Sequence, residues 1–185
     1  MKRIFKAFAL LLLIAPVFLI ASCKKEESPK TDLAASKKEW VTGSWKQKDI
    51  QLGVSTSVNV PGVGKIPLNE GMSMLDDPTI NALLTAAAGA NPFVYTRDNK
   101  YNFNSDGSYK VDGIVDFGGG AKVLAGGSGT WDTEVYSSVL ALFPEKDLRD
   151  PHWINNITAS QLNLAISVKL PGLGDVPMKL LLEKQ

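Results

Sequence analysis

The side chains that could do chemistry here by type and spacing are few: one thiol, one imidazole and a scatter of carboxylates around residue 106. The thiol is Cys23, the only cysteine of the chain, and it follows Ile20-Ala21-Ser22. A thiol is the nucleophile that can take a thioether-linked acylglycerol, and small neighbours let a peptidase reach the backbone beside it. With a single cysteine, no internal disulfide can form. The imidazole is His152, the only histidine, in Asp150-Pro151-His152-Trp153. That run reads as a turn entering a strand, so His152 is expected to be an exposed loop residue and not a general base. Asp106, Asp112 and Asp116 would allow a paired-carboxylate hydrolase, but nothing in their spacing singles out an acid and a base. Gly127-Ser128-Gly129 lacks the outer glycines of a Gly-x-Ser-x-Gly elbow, and no Gly-x-Gly-x-x-Gly occurs. Asn102-x-Asn104-x-Asp106-Gly107 imitates the start of a calcium loop, yet its twelfth position is Gly113 and strand patterns flank it. An Asp-Gly hairpin turn accounts for the same residues. The expectation is a protein that is not an enzyme, with no metal and no cofactor.

Cys23 also sits where export machinery would act. Lys2, Arg3 and Lys6 precede an apolar run from Ala7 to Ile20 that Pro16 interrupts. The run is short for a bilayer span, a proline weakens it as a membrane helix, and the basic start followed by small residues is the layout of a secretory signal. Ile20-Ala21-Ser22-Cys23 resembles the bacterial lipobox. The resemblance implies a lipoprotein signal peptide at residues 1–22 and an acylated Cys23 as mature N-terminus, where palmitate-type chains in the plural give stable anchoring and one alone is marginal. Residues 23–32 then form a lipidated flexible tether. Its Lys24-Lys25-Glu26-Glu27 resembles the signal by which some Gram-negative lineages place lipoproteins on the outer face of the outer membrane. This implies an outer-membrane, lipid-anchored protein facing the cell exterior.

Removing residues 1–22 takes away Lys2, Arg3 and Lys6 and no acid, carrying the formal charge from +1 to the acidic side. A chain without a basic cluster beyond its tether has no electrostatic footprint for nucleic acid. The remainder is long enough for one domain, residues 33–185, with a core of its own.

The elements that must position these residues are mostly strands. A short helix is predicted from Thr31 to Trp40, N-capped by Asp32. A second is marked near 78–88 by Asp77 as N-cap, Pro78 at the first helical position, Ile80, Leu83, Leu84 and Ala87 at helical spacing, and Gly89 as stop. It has few charges and many alanines, as a lid or plug lying on the body would. Gln161–Leu170 alternates apolar and polar residues most clearly, and Gln51–Val60 does the same. Tyr109, Val111, Val115 and Phe117 make a third row. Further strands are expected at Phe93–Thr96, Lys100–Asn104, Ala121–Trp131, Val135–Phe143, Trp153–Ile157 and Val176–Leu182. About eight to ten short strands with one-sided alternation imply a mainly β fold, an antiparallel barrel closed around its own apolar face.

Residues 57–68 and 167–178 echo each other: Ser-Val-Asn-Val-Pro-Gly-Val-Gly-Lys-Ile-Pro-Leu against Ser-Val-Lys-Leu-Pro-Gly-Leu-Gly-Asp-Val-Pro-Met. Two similar hairpins with no shared task would explain this. So would antiparallel closure of the first strand on the last, which brings both loops to one rim and sets Leu52, Val54, Val58 and Val60 facing Leu164, Ile166, Val168 and Leu170. Pro67 and Pro177 deny the ladder an N–H, which places them at a strand end, edge or bulge.

Gly43-Ser44-Trp45, opening a strand after a short helix, resembles the Gly-x-Trp of the lipocalin family. Tyr101-x-Phe103-x-x-Asp106-Gly107-x-Tyr109 and Gly129-Thr130-Trp131 are similar to strand motifs of lipocalin-like bacterial lipoproteins. The arginine that lipocalins carry late in the barrel, packed on that tryptophan, is missing after Arg149, and the helix near 78–88 is not standard for the family. The resemblance implies a lipocalin-like barrel that binds a small apolar or amphipathic ligand. Its contacts would be inner-face residues: Trp45, Val58, Val60, Tyr109, Val111, Phe117, Ile166 and Val168. On residue type alone Trp45 is a core residue. The residues equally allow a packed barrel, an accessory or structural lipoprotein binding a protein partner through rim loops or a strand edge.

Overall fold

The computed structural model describes residues 38–116, 122–124, 127–134, 138–170 and 174–185. Cys23, the residues around it, Phe117 and Pro171 lie outside them. A helical turn at 38–41 leads into β1 (Gly43–Leu52), followed by an inserted hairpin of β2 (Thr56–Val60) and β3 (Gly64–Leu68). Helix α1 (Pro78–Ala88) and a 3-10 turn (Pro92–Thr96) complete the insertion. The chain then runs through β4 (Lys100–Phe103), β5 (Ser108–Asp112), β6 (Ser128–Glu134), β7 (Val139–Glu145), β8 (Leu148–Ile157), β9 (Gln161–Leu170) and β10 (Gly174–Lys184). Eight strands close an antiparallel barrel in the order β1-β10-β9-β8-β7-β6-β5-β4, and β2-β3 stands as a separate two-stranded sheet. The fold is thus the mainly β closed barrel that the alternation implied, with a short N-terminal helical turn and one inserted helix.

The alternation in β9 does what its residues dictate. Leu162, Leu164, Ile166, Val168 and Leu170 are buried while Gln161, Ser167 and Lys169 are exposed. Each such side chain contributes about 1.5–3 kcal/mol by burial, and a one-residue slip would expose the whole row. First and last strands do close the barrel: Trp45 pairs with Lys184 and Leu52 with Met178.

Closure stops at a proline. Gly53 N–H donates to Pro177 O (2.9 Å), but Pro177 has no N–H to return, so the ladder ends and the chain leaves the barrel. For that reason Gln51–Val60 is not one strand. Leu52 is buried, Val54 is 45 % exposed, and Val58 and Val60 belong to β2. On its other edge, beyond the reach of β4, β1 is bonded by the insertion, through Leu52 N–H to Met72 O (3.0 Å) and Met74 N–H to Ile50 O (2.7 Å).

Helix α1 has the ends its sequence marks. Asp77 Oδ1 accepts from the Thr79 and Ile80 N–H groups (2.8 and 3.1 Å), and Gly89, at φ +80°, donates its N–H to Thr85 O. The expected strand Phe93–Thr96 is instead the 3-10 turn, because Asn91 Oδ1 caps the Phe93 N–H (3.0 Å) and Pro92 sits at the first helical position. The segments expected at Ala121–Trp131 and Val135–Phe143 pair further along the chain, as β6 and β7.

His152 is the other correction. Pro151 and His152 do not make an exposed turn; they lie within β8, with His152 opposite Leu140 and only 5 % exposed. Leu140 is fully buried, and residues directly opposite in a ladder share a face, so the imidazole is drawn to the inner side.

Candidate functional site

A cleft of about 740 Å³ opens where the insertion meets the barrel. Its floor is made of buried Leu52, Leu68, Met74, Ile80 and Leu170. Half-buried Val58, Val60, Leu83, Leu84 and Val176 form the walls, and Val54, Tyr95 and Ala86–Ala88 the exposed rim. The two echoing hairpins supply much of this. Their registers match, with Val58 opposite Ile66 and Val60 opposite Gly64 in one, and Val168 opposite Val176 and Leu170 opposite Gly174 in the other. Pro61 of the first and Leu170, Asp175 and Pro177 of the second border the same cleft. Helix α1 contributes small residues on this side, which leaves the space open where larger side chains would fill it. Volume and lining match those of small-molecule sites: concave, mostly apolar, with a few polar groups.

Of the contacts implied by resemblance, Val58 and Val60 line the cleft. Trp45, Tyr109, Val111, Ile166 and Val168 do not border it; all five are buried in the core. Helix residues Ile80, Leu83 and Leu84 entered the sequence reading as a plug, not as contacts, although their helical spacing marked a face that needed a partner.

The end of β1 away from the insertion is built around Trp45. Its indole N–H donates to Val41 O (2.7 Å) in the 38–41 turn, and Lys184 Nζ lies 5.1 Å over its ring. Lys184, on the last strand, thereby provides a cation over Trp45 where an arginine was missing. A basic residue near the end of the final strand was the available signal. Trp131 has a similar neighbour in Lys38, 5.5 Å from its ring, whose ammonium also bonds Asp132 (2.8 Å) and holds that carboxyl below the usual range.

Polar side chains also lie inside the fold, among them Gln47, Thr96 and His152. Tyr101 is fully buried; its hydroxyl donates to Gln47 Oε1 (2.9 Å), and Gln47 Nε2 donates to Thr96 Oγ1 (2.6 Å). Burial drives the Tyr101 phenol far above its ordinary value. His152 Nε2 lies 2.7 Å from Asp150 Oδ2. Nearby Tyr109 is pushed up to about 12, by burial first and then by the charge of Asp150. Around Asp106 the hairpin turn is real: Oδ1 accepts from Ser108 N–H (2.8 Å), and Gly107 takes φ +83°. Among the described residues no three His, Cys, Asp or Glu side chains converge as a metal site, and no helix is long and apolar enough to cross a membrane.

Fold and site together define a closed eight-stranded antiparallel barrel with an apolar cleft at one end. No family model matches the chain, and no curated protein matches it. Among solved structures it is similar to a crystal structure described as a lipocalin-like protein from Bacteroides uniformis. Identity is 13 % and the TM-score 0.34, over 79 % of this chain and 99 % of that one.

Proposed function

We propose that this chain is a lipid-anchored, lipocalin-like binding protein of the outer membrane that holds a small apolar or amphipathic molecule in the cleft between barrel, hairpin and helix α1. The observation that carries the reading is the cleft itself: about 740 Å³, floored by buried Leu, Met and Ile side chains and walled by half-buried valines and leucines. Apolar surface left in contact with water at about 25 cal/mol per Å² favours an occupant that covers it. Neither His152 nor the carboxylates near residue 106 border this cleft, so the reading assigns it binding without catalysis. Anchoring through Cys23 and outward display rest on the lipobox and tether residues.

Native mass spectrometry of the protein purified from its own membranes tests the proposal. A co-purifying small molecule is expected, together with saturable uptake of an apolar fluorophore that Leu84→Trp diminishes. A bare protein that takes up no fluorophore would refute the reading. A second reading is favoured by one observation: among the described residues β2 and β3 pair only with each other, which leaves outer strand edges for a partner. Loss of a co-isolated protein when Lys65 of β3, which does not border the cleft, is replaced by Pro, with fluorophore uptake intact, would select it.

A further inference from the structure

Resting on the cleft reading, we infer that the molecule held there is uncharged: its polar end is a hydroxyl, amide or carbonyl, and neither an acid anion nor an ammonium. The lining offers an ionised head no counter-charge. Among the described residues no lysine, arginine or histidine borders the cleft, and its only carboxylate is Asp175. That side chain stands opposite exposed Lys169 on the outward face of the last hairpin, while Val168, Leu170 and Val176 at the alternate positions pack against the core. The first hairpin disposes of its charge in the same way: exposed Lys65 faces Asn59, and half-buried Val58 and Ile66 take the inner side. Stretches 117–121, 125–126, 135–137 and 171–173 contain no charged residue. Backbone groups do not serve an anion either. Pro61, Pro92 and Pro177 have no N–H, and those of Leu52, Met74 and Ile80 are engaged by Met72 O, Ile50 O and Asp77 Oδ1. The positive end of α1 is occupied by its own cap, Asp77. At the other end Ala86–Ala88 border the cleft, and the last carbonyls of the helix offer a cation only a partial charge. An ion taken from water without a partner is penalised far more than a neutral polar group. Thr56, on the same face of β2 as Val58 and Val60, adds a hydroxyl at the rim that suits such a group.

The test uses the full chain with Cys23→Ala, kept free of detergent, titrated by calorimetry at pH 7 below micelle-forming concentrations. Two pairs of ligands matched in size differ in the charge of the head: octanamide against octanoate, and octanol against octylammonium. Each neutral member is expected to bind about tenfold tighter than its ion, or better. Val60→Lys, which sets an ammonium in the wall, should cancel the deficit of octanoate and deepen that of octylammonium. Leu84→Lys, on α1, repeats the test from a separate element, and circular dichroism checks that each variant keeps its fold. An ion that binds the unaltered cleft as tightly as its neutral partner, or an octanoate deficit that both folded lysine variants leave in place, overturns the head assignment and leaves the apolar cleft standing. Failure of all four ligands to bind overturns both.

Discussion

Replacing Tyr101 with Phe keeps the ring that fills the barrel and removes one oxygen. The hydroxyl donates to Gln47 Oε1 at 2.9 Å and receives a longer contact from Asn99 Nδ2 at 3.5 Å. Gln47 is only 3 % exposed and its Nε2 is already bound to Thr96, so in the variant Oε1 is left dry and unpaired. An orphaned buried acceptor costs about 1–3 kcal/mol, and for a domain of this size each kcal/mol moves Tm by about 2–4 °C. The same hydroxyl gives an alkaline signature. An unfolded tyrosine ionises near pH 10; in the fold, burial holds Tyr101 neutral well beyond that. Its contribution is therefore fully present below about pH 10 and is lost as pH rises further, because the unfolded chain gives up the proton first. At full effect this is about 1.4 kcal/mol per pH unit. Urea unfolding followed by circular dichroism between pH 7 and 11.5 checks both parts. Tyr101→Phe should be less stable at pH 7 and should lose stability less steeply above pH 10. Equal stability at pH 7, or an unchanged alkaline slope, would refute the reasoning about this network.

The other expectations concern separate parts of the chain. Cys23→Ala should release the protein from membranes or leave it unprocessed; normal cleavage with unchanged membrane fractionation would sink the lipid anchor. Gly113→Ala should cost about 2 kcal/mol or more, because Gly113 sits at φ +141° and a Cβ there would lie 2.0 Å from Asn99 Oδ1. Gly62→Ala, at φ +79° with open space around it, should cost about 1–2 kcal/mol, and a reversed order in thermal melts would count against the argument. A broad esterase, glycosidase and peptidase screen should be blank; activity that vanishes with His152→Ala or Asp106→Asn would overturn the non-enzymatic reading.

Much of the fold was legible because the signals that carry it are local. In β9 the period-two row runs unbroken over Gln161–Leu170, and in α1 the cap, the proline and the stop glycine bracket the helix to the residue. What was not legible depended on partners far away in sequence. Nothing within Gln51–Val60 announces that its continuation is cut at Gly53, since the missing N–H belongs to Pro177. His152 reads as a turn residue beside Asp150-Pro151, and only the pairing of β8 with Leu140 and Ala141 draws it into a strand. The cleft was half legible. Its echoing hairpins could be seen in the sequence, while the helix wall could not be assigned to it, because helical spacing reveals an apolar face and not what that face meets.

The pairing of β1 with β10 also sets an order of events. Trp45 and Lys184 stand at nearly opposite ends of the described chain, and contacts so remote in sequence form late and slowly. Until β10 has emerged, β1 lacks its main neighbour, and its apolar row stays available to whatever the chain meets. A protein built in this way cannot finish folding during synthesis from its N-terminal end. The topology therefore delays closure of the barrel until the last strand arrives, and makes the far end of the chain the part that completes its beginning.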